Sequence, residues 1–466
     1  MRWNLKKLFE PTDMTMGAPW QKILTFTIPM LLGNIAQQLY NTVDSIIVGK
    51  YVGDNALAAV GSAGPIVNLL LVLFIGISVG SSVVVSQYFG AREREELSRT
   101  IGACISLTFL ASVIIMITGA LITRPLLELL KTPDSIIDWC NSYLNVMFIG
   151  MAGIAYYNIL SGVLRGLGDS VSPLLYLILA TVMNIVLDLW FVAGLNLGVF
   201  GVALATVIAQ GFSAVLCMWK LMRMRSIFDL EFRHLKLNRQ YALTIIRLGL
   251  PSGLTQAIFS MAMIVVQSLT NSFGEMFIAA NVIVMRVDGF AMMPNFSFGT
   301  AMTTYAGQNI GADRLDRVKK GTVQGTAMAV GTSVIITMLI LIFGRNLMSV
   351  FTDTPELVDL SMRMMFILSL GYIAMAVSQS LSGVMRGAGD TMTPMWISLI
   401  TTVVIRIPLA YGISWMTRTP ELPQGRSECI FISLLLSWII GAILMTAFYK
   451  RGKWTTKSVV AKTVSK

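Results

Sequence analysis

The chain has 466 residues, of which 55% are hydrophobic and only 13% are charged, and its formal net charge is +11. A typical soluble domain is about 45–50% apolar and about 25% charged, so this composition excludes an ordinary soluble protein and is typical of a membrane protein. One histidine (His234) and four scattered cysteines exclude the usual transition-metal centres and a disulfide framework.

Apolar stretches of about 20 residues, the length that crosses a bilayer, recur along the whole chain. The first 20 residues lack the apolar run and the cleavage site of a signal peptide. The predicted fold class is an all-α integral membrane protein. We expect twelve transmembrane helices, at residues 23–48, 56–88, 100–123, 140–164, 173–194, 198–219, 242–271, 277–306, 321–344, 359–385, 394–416 and 428–449.

The basic residues lie mainly on one side of the predicted membrane. Of the 35 Lys and Arg residues, 25 fall on the side of the two termini, six in the opposite loops and four inside helices. The positive-inside rule then predicts that both termini are cytoplasmic, in a multi-pass protein of a bacterial-type cytoplasmic (inner) membrane. The net charge is a topology signal, and we expect no nucleic-acid partner.

An internal repeat divides the chain into two halves. Residues 161–173 read SGVLRGLGDSVSP and residues 382–394 read SGVMRGAGDTMTP, with eight of thirteen positions identical at an offset of 221. Six helices in each copy predict parallel repeats, related by an axis along the membrane normal. We predict two lobes around a central cavity: an N-terminal lobe (residues 1–222), a cytoplasmic basic linker (223–241) and a C-terminal lobe with a basic tail (242–466).

The repeated segment is interpreted as a helix junction rather than as a binding site. Gly166 and Gly168 can end one helix, while Ser172 can cap the next and Pro173 suits its first turn. The second copy repeats this pattern at Thr393–Pro394.

Polar residues inside the predicted helices are few. An ionisable side chain there costs at least about 2.5 kcal/mol on insertion scales, so each is a functional candidate. Helical spacing places polar side chains on one face of the first helix and pairs them on the fifth and sixth. The residues of these faces are Asn34, Gln37, Tyr40, Asn41 and Asp44, then Thr181, Asn184 and Asp188, then Thr206 and Gln210.

The two carboxylates of this set suggest a cation switch. Two carboxylates that approach each other in a low dielectric cannot both ionise cheaply unless a cation enters between them. Oxygen ligands suit a hard monovalent ion, and a shared proton would serve equally. A structural interpretation also stays open, in which Asp44 is solvated near its helix end and Asp188 is a hydrogen-bond partner.

The second half has a different set of charges. At the repeat offset, Asn184 and Asp188 align with Ile405 and Leu409, so the carboxylate pair is predicted in the first half alone. The second half instead has Arg286, Asp288 and Arg406 inside its helices, and we interpret these as gating or structural pairing residues.

Several motifs, in order and spacing, resemble the multidrug and toxic compound extrusion (MATE) transporters along nearly the whole chain. They are IPMLLGNIAQQLYNTVDSIIVG (28–49), QYFGARE (87–93), SGVLRGLGD (161–169), NIVLDLWFV (184–192), GVFGVALATVIAQ (198–210) and GQNIGA (307–312). The resemblance implies cation-coupled efflux of mostly cationic, amphipathic organic compounds. Within the family the chain is similar to the DinF-type branch, because its seventh helix has no acid and its tenth has only Asp359.

The resemblance also marks site residues. It implies a cation or sodium site at Asp44, Asn184, Asp188 and Thr206 in the N-terminal lobe. Neighbouring and substrate-cavity residues are expected at Gln37, Tyr40, Asn41, Tyr143, Asn158, Gln210, Arg286 and Asp288.

The predicted function is secondary active efflux, in which cationic or amphipathic organic compounds are exchanged for sodium ions or protons by alternating access. We expect no enzymatic activity, no cofactor beyond the coupling ion and no obligate protein partner. The partners are small organic substrates and the lipid bilayer. A lipid-linked sugar flippase is the alternative, and it should show several cations lining the cavity; a membrane-embedded enzyme would need clustered His, Asp or Glu residues.

Overall fold

The computed structural model describes residues 10–130 and 132–460, and predictions for the first nine residues, Lys131 and the end of the tail lie outside them. These described residues form fourteen α-helices, together with π-helices at Leu189–Gly194 and Ile400–Arg406. The α-helices are α1 (Pro19–Tyr51), α2 (Asp54–Ala91), α3 (Arg94–Leu129), α4 (Asp134–Ile149), α5 (Met151–Gly166), α6 (Val171–Asp188), α7 (Gly198–Met222), α8 (Arg239–Asn271), α9 (Glu275–Gly311), α10 (Leu315–Ser349), α11 (Pro355–Gly387), α12 (Met392–Leu399), α13 (Ile407–Met416) and α14 (Cys429–Lys450).

The helices confirm the predicted all-α membrane fold. Among the described residues, ten helical segments are long and apolar enough to cross a membrane, and an eleventh arises if α4 and α5, bent by 52°, form one span. Helix α1 has 33 residues but is not among them. Its polar stripe explains this, because Asn, Gln and Asp side chains lower the hydropathy of an otherwise apolar helix.

The distribution of side chains on α3 is typical of a helix in lipid. Its exposed face carries large apolar residues such as Phe109 and Leu121, which are 62% and 72% exposed. Its buried face carries small polar residues, including Thr108 and Thr123, whose hydroxyls donate to backbone carbonyls one turn earlier at 2.6 Å. Small residues inside and large apolar residues outside are what membrane helix packing requires.

The helices belong to two compact units. The N-terminal unit contains Ile28–Gly253 with the preceding chain up to Asp13, and the C-terminal unit contains Met14–Thr27 and Leu254–Lys466. Helices α1 and α8 therefore each begin in one unit and continue in the other. Each has an internal proline, Pro29 or Pro251, within three residues of the division. The lobes predicted at residues 1–222 and 242–466 stay a prediction from the repeat.

The first half of α8 contacts α2 through glycine inside the N-terminal unit. A Cβ atom built on Gly80 would lie 2.3 Å from the carbonyl oxygen of Ile245, and one built on Gly249 would lie 2.5 Å from that of Gly76. Only residues without a side chain permit this approach of two helix backbones.

The segment Met14–Thr27 is hydrogen-bonded within the C-terminal unit. The Met14 amide donates to Oε1 of Gln308 at 2.8 Å, and the Met14 carbonyl accepts from Asn309 Nδ2 at 3.2 Å and from Arg317 Nη2 at 3.1 Å. These bonds join the chain before α1 to the end of α9 and the start of α10.

The segment between α7 and α8 lies against the start of α3. Arg94 Nε donates to Oδ2 of Asp229 at 2.8 Å, and the Asp229 amide donates to the Ser98 hydroxyl at 3.0 Å. The Arg94 guanidinium holds the pKa of the Asp229 carboxyl below its usual range. His234 is buried there, and a Cβ on Gly102 would lie 2.1 Å from the His234 carbonyl oxygen.

The repeated segment forms the same junction in both units. Built Cβ atoms on Gly166 and Gly387 would lie 2.7 Å and 2.3 Å from backbone carbonyl oxygens of α2 and α9, respectively. The carboxylate of Asp169 accepts from the amide and hydroxyl of Ser172 at 2.9 and 2.6 Å. The predicted cap at Ser172 is therefore wrong in one respect, because Asp169 supplies the acceptor and Ser172 donates to it.

The glycine contacts generate a stability prediction. In Gly383→Ala, the new methyl group would lie 2.2 Å from the Gly299 carbonyl oxygen, so helices α9 and α11 must separate. We expect a loss of about 1–3 kcal/mol, as is usual for overpacking, seen as a lower thermal unfolding midpoint of the detergent-purified protein. Gly331→Ala is the matched control, because its added Cβ meets nothing within 4 Å; equal midpoints for the two variants would contradict the packing role.

Candidate functional site

Six of the predicted site residues interact with one another in the N-terminal unit. They come from four helices, so no single stretch of sequence contains the site. Helix α1 contributes Tyr40 and Asp44, α4 contributes Tyr143, α6 contributes Asn184 and Asp188, and α7 contributes Thr206.

Helix α6 buries Asn184 and Asp188 of its polar face, whereas Thr181 is half-buried. Asn184 is 1% exposed and Asp188 is not exposed at all, and the two follow Ala180 at steps of four residues on the buried side of the helix. Lipid-facing residues of the same helix, such as Val182 and Val186, are more than half exposed. The carboxylate of Asp188 is therefore turned into the protein rather than towards lipid.

The carboxyl groups of Asp44 and Asp188 lie close enough to interact directly. Tyr40 and Tyr143 are both within electrostatic range of the pair. The Tyr40 hydroxyl donates to the Thr206 hydroxyl at 3.2 Å, which fixes that ring beside the carboxyl groups.

Most polar atoms of this cluster have no hydrogen-bond partner among the described residues. These atoms are Oδ1 of Asp44, both carboxylate oxygens of Asp188, and both amide atoms of Asn184. A buried polar group without a partner costs about 1–3 kcal/mol, and more if it is charged. Such a cluster needs a proton or a cation to balance it, and two carboxylates with neutral oxygens can coordinate a hard monovalent ion.

The backbone changes geometry directly after Asp188. The π-helix Leu189–Gly194 follows, and the Leu195 amide donates to the Trp190 carbonyl five residues earlier at 2.9 Å. Such π-turns are rare and often occur at functional sites, because they are less stable than α-helix and are retained where geometry requires them.

Among the described residues, no hydrogen bond joins the other predicted residues of the N-terminal unit to the carboxyl pair. The Asn158 amide donates to the Ile154 carbonyl of its own helix at 2.8 Å, and Asn41 is exposed. Gln210 is buried one turn after Thr206, and its Oε1 has no hydrogen-bond partner in the described chain. Gln37 is half-buried on α1. The assignment of these residues and of the cation site stays a prediction.

The C-terminal unit has its own polar group, which includes a residue that sequence reasoning missed. The Tyr372 hydroxyl donates to Oδ1 of Asp288 at 3.0 Å. Tyr372 is the single tyrosine of its predicted helix and lies near the middle of that helix, and this position could have marked it as a candidate in the sequence.

The predicted charged residues of this unit differ in their surroundings. Arg406 is 7% exposed, whereas Arg286 is exposed and has no ion pair within the described residues. Asp359 pairs with Arg345 at 2.8 Å near the helix ends.

Comparisons with known proteins agree with this architecture. The family model described as MatE matches the chain twice, at residues 29–190 and 251–412. The probable multidrug resistance protein YoeA of Bacillus subtilis (strain 168) is 31% identical over 428 residues, which cover 90% of this chain and 92% of that protein. The probable multidrug resistance protein NorM of Thermotoga maritima is 24% identical and covers 99% of this chain and 98% of that protein.

Solved structures share the fold. One is described as an outward-facing conformation of a multidrug resistance MATE family transporter of the MOP superfamily; it has a TM-score of 0.87, 24% identity, and covers 96% of this chain and 98% of that chain. A MOP superfamily transporter from Pyrococcus furiosus has a TM-score of 0.85 at the same identity and coverage. With two matches of one family model and a relative above 30% identity along most of both chains, the protein belongs to the MATE family.

Proposed function

We propose that the protein exports organic compounds across the cytoplasmic membrane by exchanging them for sodium ions or protons, and that the cation binds between Asp44 and Asp188. The observation that carries the proposal is the interaction of the buried Asp188 carboxyl with that of the half-buried Asp44, together with their unpartnered oxygens in the N-terminal unit. Relatives along nearly the whole chain are named multidrug resistance proteins, which supports multidrug compounds as the cargo.

The coupling follows from the cost of the empty site. Without a cation or proton, two carboxylates would face each other away from water, and the effective penalty of each unpaired buried charge is several kcal/mol. A conformation that opens the site to water relieves this penalty, whereas a loaded site tolerates closure. Moving a two-state equilibrium from 1:99 to 99:1 takes about 5.5 kcal/mol, which is of the same order.

Exchange requires that ion and substrate favour different conformations. The bound ion draws Asp44, Asp188 and the neutral oxygens of Asn184 and Thr206 together, so it stabilises a contracted N-terminal unit. A cationic substrate stabilises the protein when the carboxylates are charged and free. Each ligand then lowers the affinity for the other, and by linkage the two effects are equal.

Topology and family branch complete the proposal. Both termini lie in the cytoplasm, as the positive-inside pattern predicts. The protein is of the DinF-like type, with its cation site in the N-terminal unit. The exposed Arg345–Asp359 pair at 2.8 Å supports this, because it assigns the single acid of the tenth predicted helix to a surface ion pair.

Replacing Asp188 tests the site directly. In Asp188→Asn, the amide keeps the size of the side chain but cannot supply the negative charge that holds a cation. We expect cation-driven dye efflux from proteoliposomes to fall by at least a factor of ten, while the thermal midpoint of the purified protein stays close to that of the wild type.

Asp390→Asn is the matched control for this substitution. Asp390 is also a buried carboxylate, but it accepts from the Thr393 amide and hydroxyl at 3.3 and 2.8 Å. The oxygen of an asparagine can still accept from the Thr393 amide, and its NH2 group can donate to the Thr393 hydroxyl oxygen. We expect it to retain wild-type efflux. Full efflux by Asp188→Asn, with the control also active, would refute the carboxyl pair as the coupling site.

Imposing the sodium and pH gradients separately tests exchange against passive flow. We expect dye efflux from vesicles to stop when both gradients are collapsed and to return when one of them is restored, because the carboxyl pair must be loaded from one side and emptied on the other. Efflux that persists without either gradient would indicate a channel and overturn the antiport proposal.

A further inference from the structure

The π-helix Ile400–Arg406 changes which residues of the C-terminal unit correspond to the cation site. A π-turn holds about one residue more than an α-turn, so residues after it face the directions that an uninterrupted helix would give to residues one position earlier. At the repeat offset of 221, Pro394 before the π-helix and Thr401 in its first turn are buried, as are Pro173 and Ala180 of the first copy.

Burial after the π-helix shows the shift. The residues that the offset of 221 pairs with Asn184 and Asp188 are Ile405 and Leu409, and both are only half-buried. The buried residues of this segment are instead Arg406, which is 7% exposed, and Ala410, which is 0% exposed. The alignment of Asn184 and Asp188 with Ile405 and Leu409 was therefore wrong by one residue.

In the corrected alignment, a positively charged side chain takes the position that a predicted cation ligand has in the first copy. Arg406 occupies in the C-terminal unit the helix position that Asn184 occupies in the N-terminal unit, and Ala410 occupies that of Asp188. The guanidinium is buried, and its Nε has no hydrogen-bond partner among the described residues. A buried arginine needs a nearby negative charge, because the isolated ion is strongly disfavoured away from water.

Asp288 is the negative charge within reach of Arg406. It comes from α9, it interacts electrostatically with Arg406, and its Oδ1 accepts from the Tyr372 hydroxyl at 3.0 Å. No direct ion pair within 4.0 Å joins the two side chains in the described part of the chain. The two charges therefore interact at longer range, and the Tyr372 hydroxyl donates to the carboxylate.

We propose that Arg406 is a tethered cation: its guanidinium permanently supplies to the C-terminal unit, and to Asp288 in particular, the positive charge that the N-terminal unit takes up from solution. The inference rests on the proposed cation site of the N-terminal unit. A tethered cation explains why only one copy of the repeat would bind a cation from solution. The second copy already carries the Arg406 charge, which cannot dissociate. Arg406 is a positioning residue for Asp288 and need not contact substrate.

Removing the tethered charge should create a second cation-dependent site. In Arg406→Met, the apolar side chain keeps much of the volume, and the half-buried Asp288 is left without its counter-charge. We expect the thermal midpoint of the purified protein to gain a dependence on sodium, with choline as the replacement, or on pH. Each tenfold rise in sodium above the dissociation constant would add about 1.4 kcal/mol of stability beyond the wild-type response.

Two further variants distinguish the charge from the shape of the side chain. Arg406→Lys keeps the charge and should respond as the wild type does. Arg406→Met with Asp288→Asn removes both charges, and it should lose the added cation dependence and unfold at a higher temperature than Arg406→Met alone. If Arg406→Met fails to fold without sodium but the double variant folds, the proposal also stands.

Two results would overturn the tethered cation. One is a folded Arg406→Met variant whose midpoint responds to sodium and pH as the wild type does. The other is equal destabilisation of the single and double variants, because Asp288 would then not be the charge that Arg406 balances. Both readouts are unfolding midpoints rather than transport, so they remain informative even if efflux proves independent of Asp188.

Discussion

Two carboxyl groups that share a water-poor interior must be neutralised by a proton or by a positive charge. Asp44 and Asp188 impose this constraint on the N-terminal unit, and the surrounding residues do not resolve it. Tyr40, Thr206 and Asn184 supply neutral dipoles, so the missing charge must come from outside the chain. Under the proposed function, the dependence of the protein on an external ion is a consequence of which side chains four helices bring together.

The helix framework that carries this cluster is held by close backbone contacts rather than by large side chains. Glycine lets α5 approach α2 in one unit and α11 approach α9 in the other, and the same aspartate cap follows each junction. In lipid the hydrophobic effect does not drive helices together, so this contact of small residues supplies packing that apolar bulk cannot. A stiff framework also preserves the spacing of the carboxyl groups.

Much of this arrangement could be predicted from the sequence. Composition and twelve apolar stretches predicted the fold class, and the SGVxRGxGD repeat predicted two equivalent halves. The spacing of Asn184 and Asp188 placed them correctly on one buried face of α6. The roles of Asp169 as a cap acceptor and of Tyr372 as a partner of Asp288 were missed, because both depend on contacts that the chain makes only after folding.

The register of the eleventh predicted helix could not be predicted either. Hydrophobic periodicity assumes a constant turn, and the residues ITTVVIR carry no signal that the chain forms a π-helix there. One inserted residue moved Arg406 onto the buried face and Leu409 away from full burial. The fixed offset of 221 therefore pairs Asn184 with Ile405 rather than with the buried Arg406.

The division of α1 and α8 between the units bears on how the protein is made. Residues 239–253, which complete the N-terminal unit through Gly249, are synthesised after the first six membrane segments. That unit cannot finish packing until the seventh segment has entered the membrane, while Met14–Thr27 must wait still longer for α9 and α10. The two halves of the repeat are thus interdependent during biosynthesis, and neither six-helix half alone contains a complete unit.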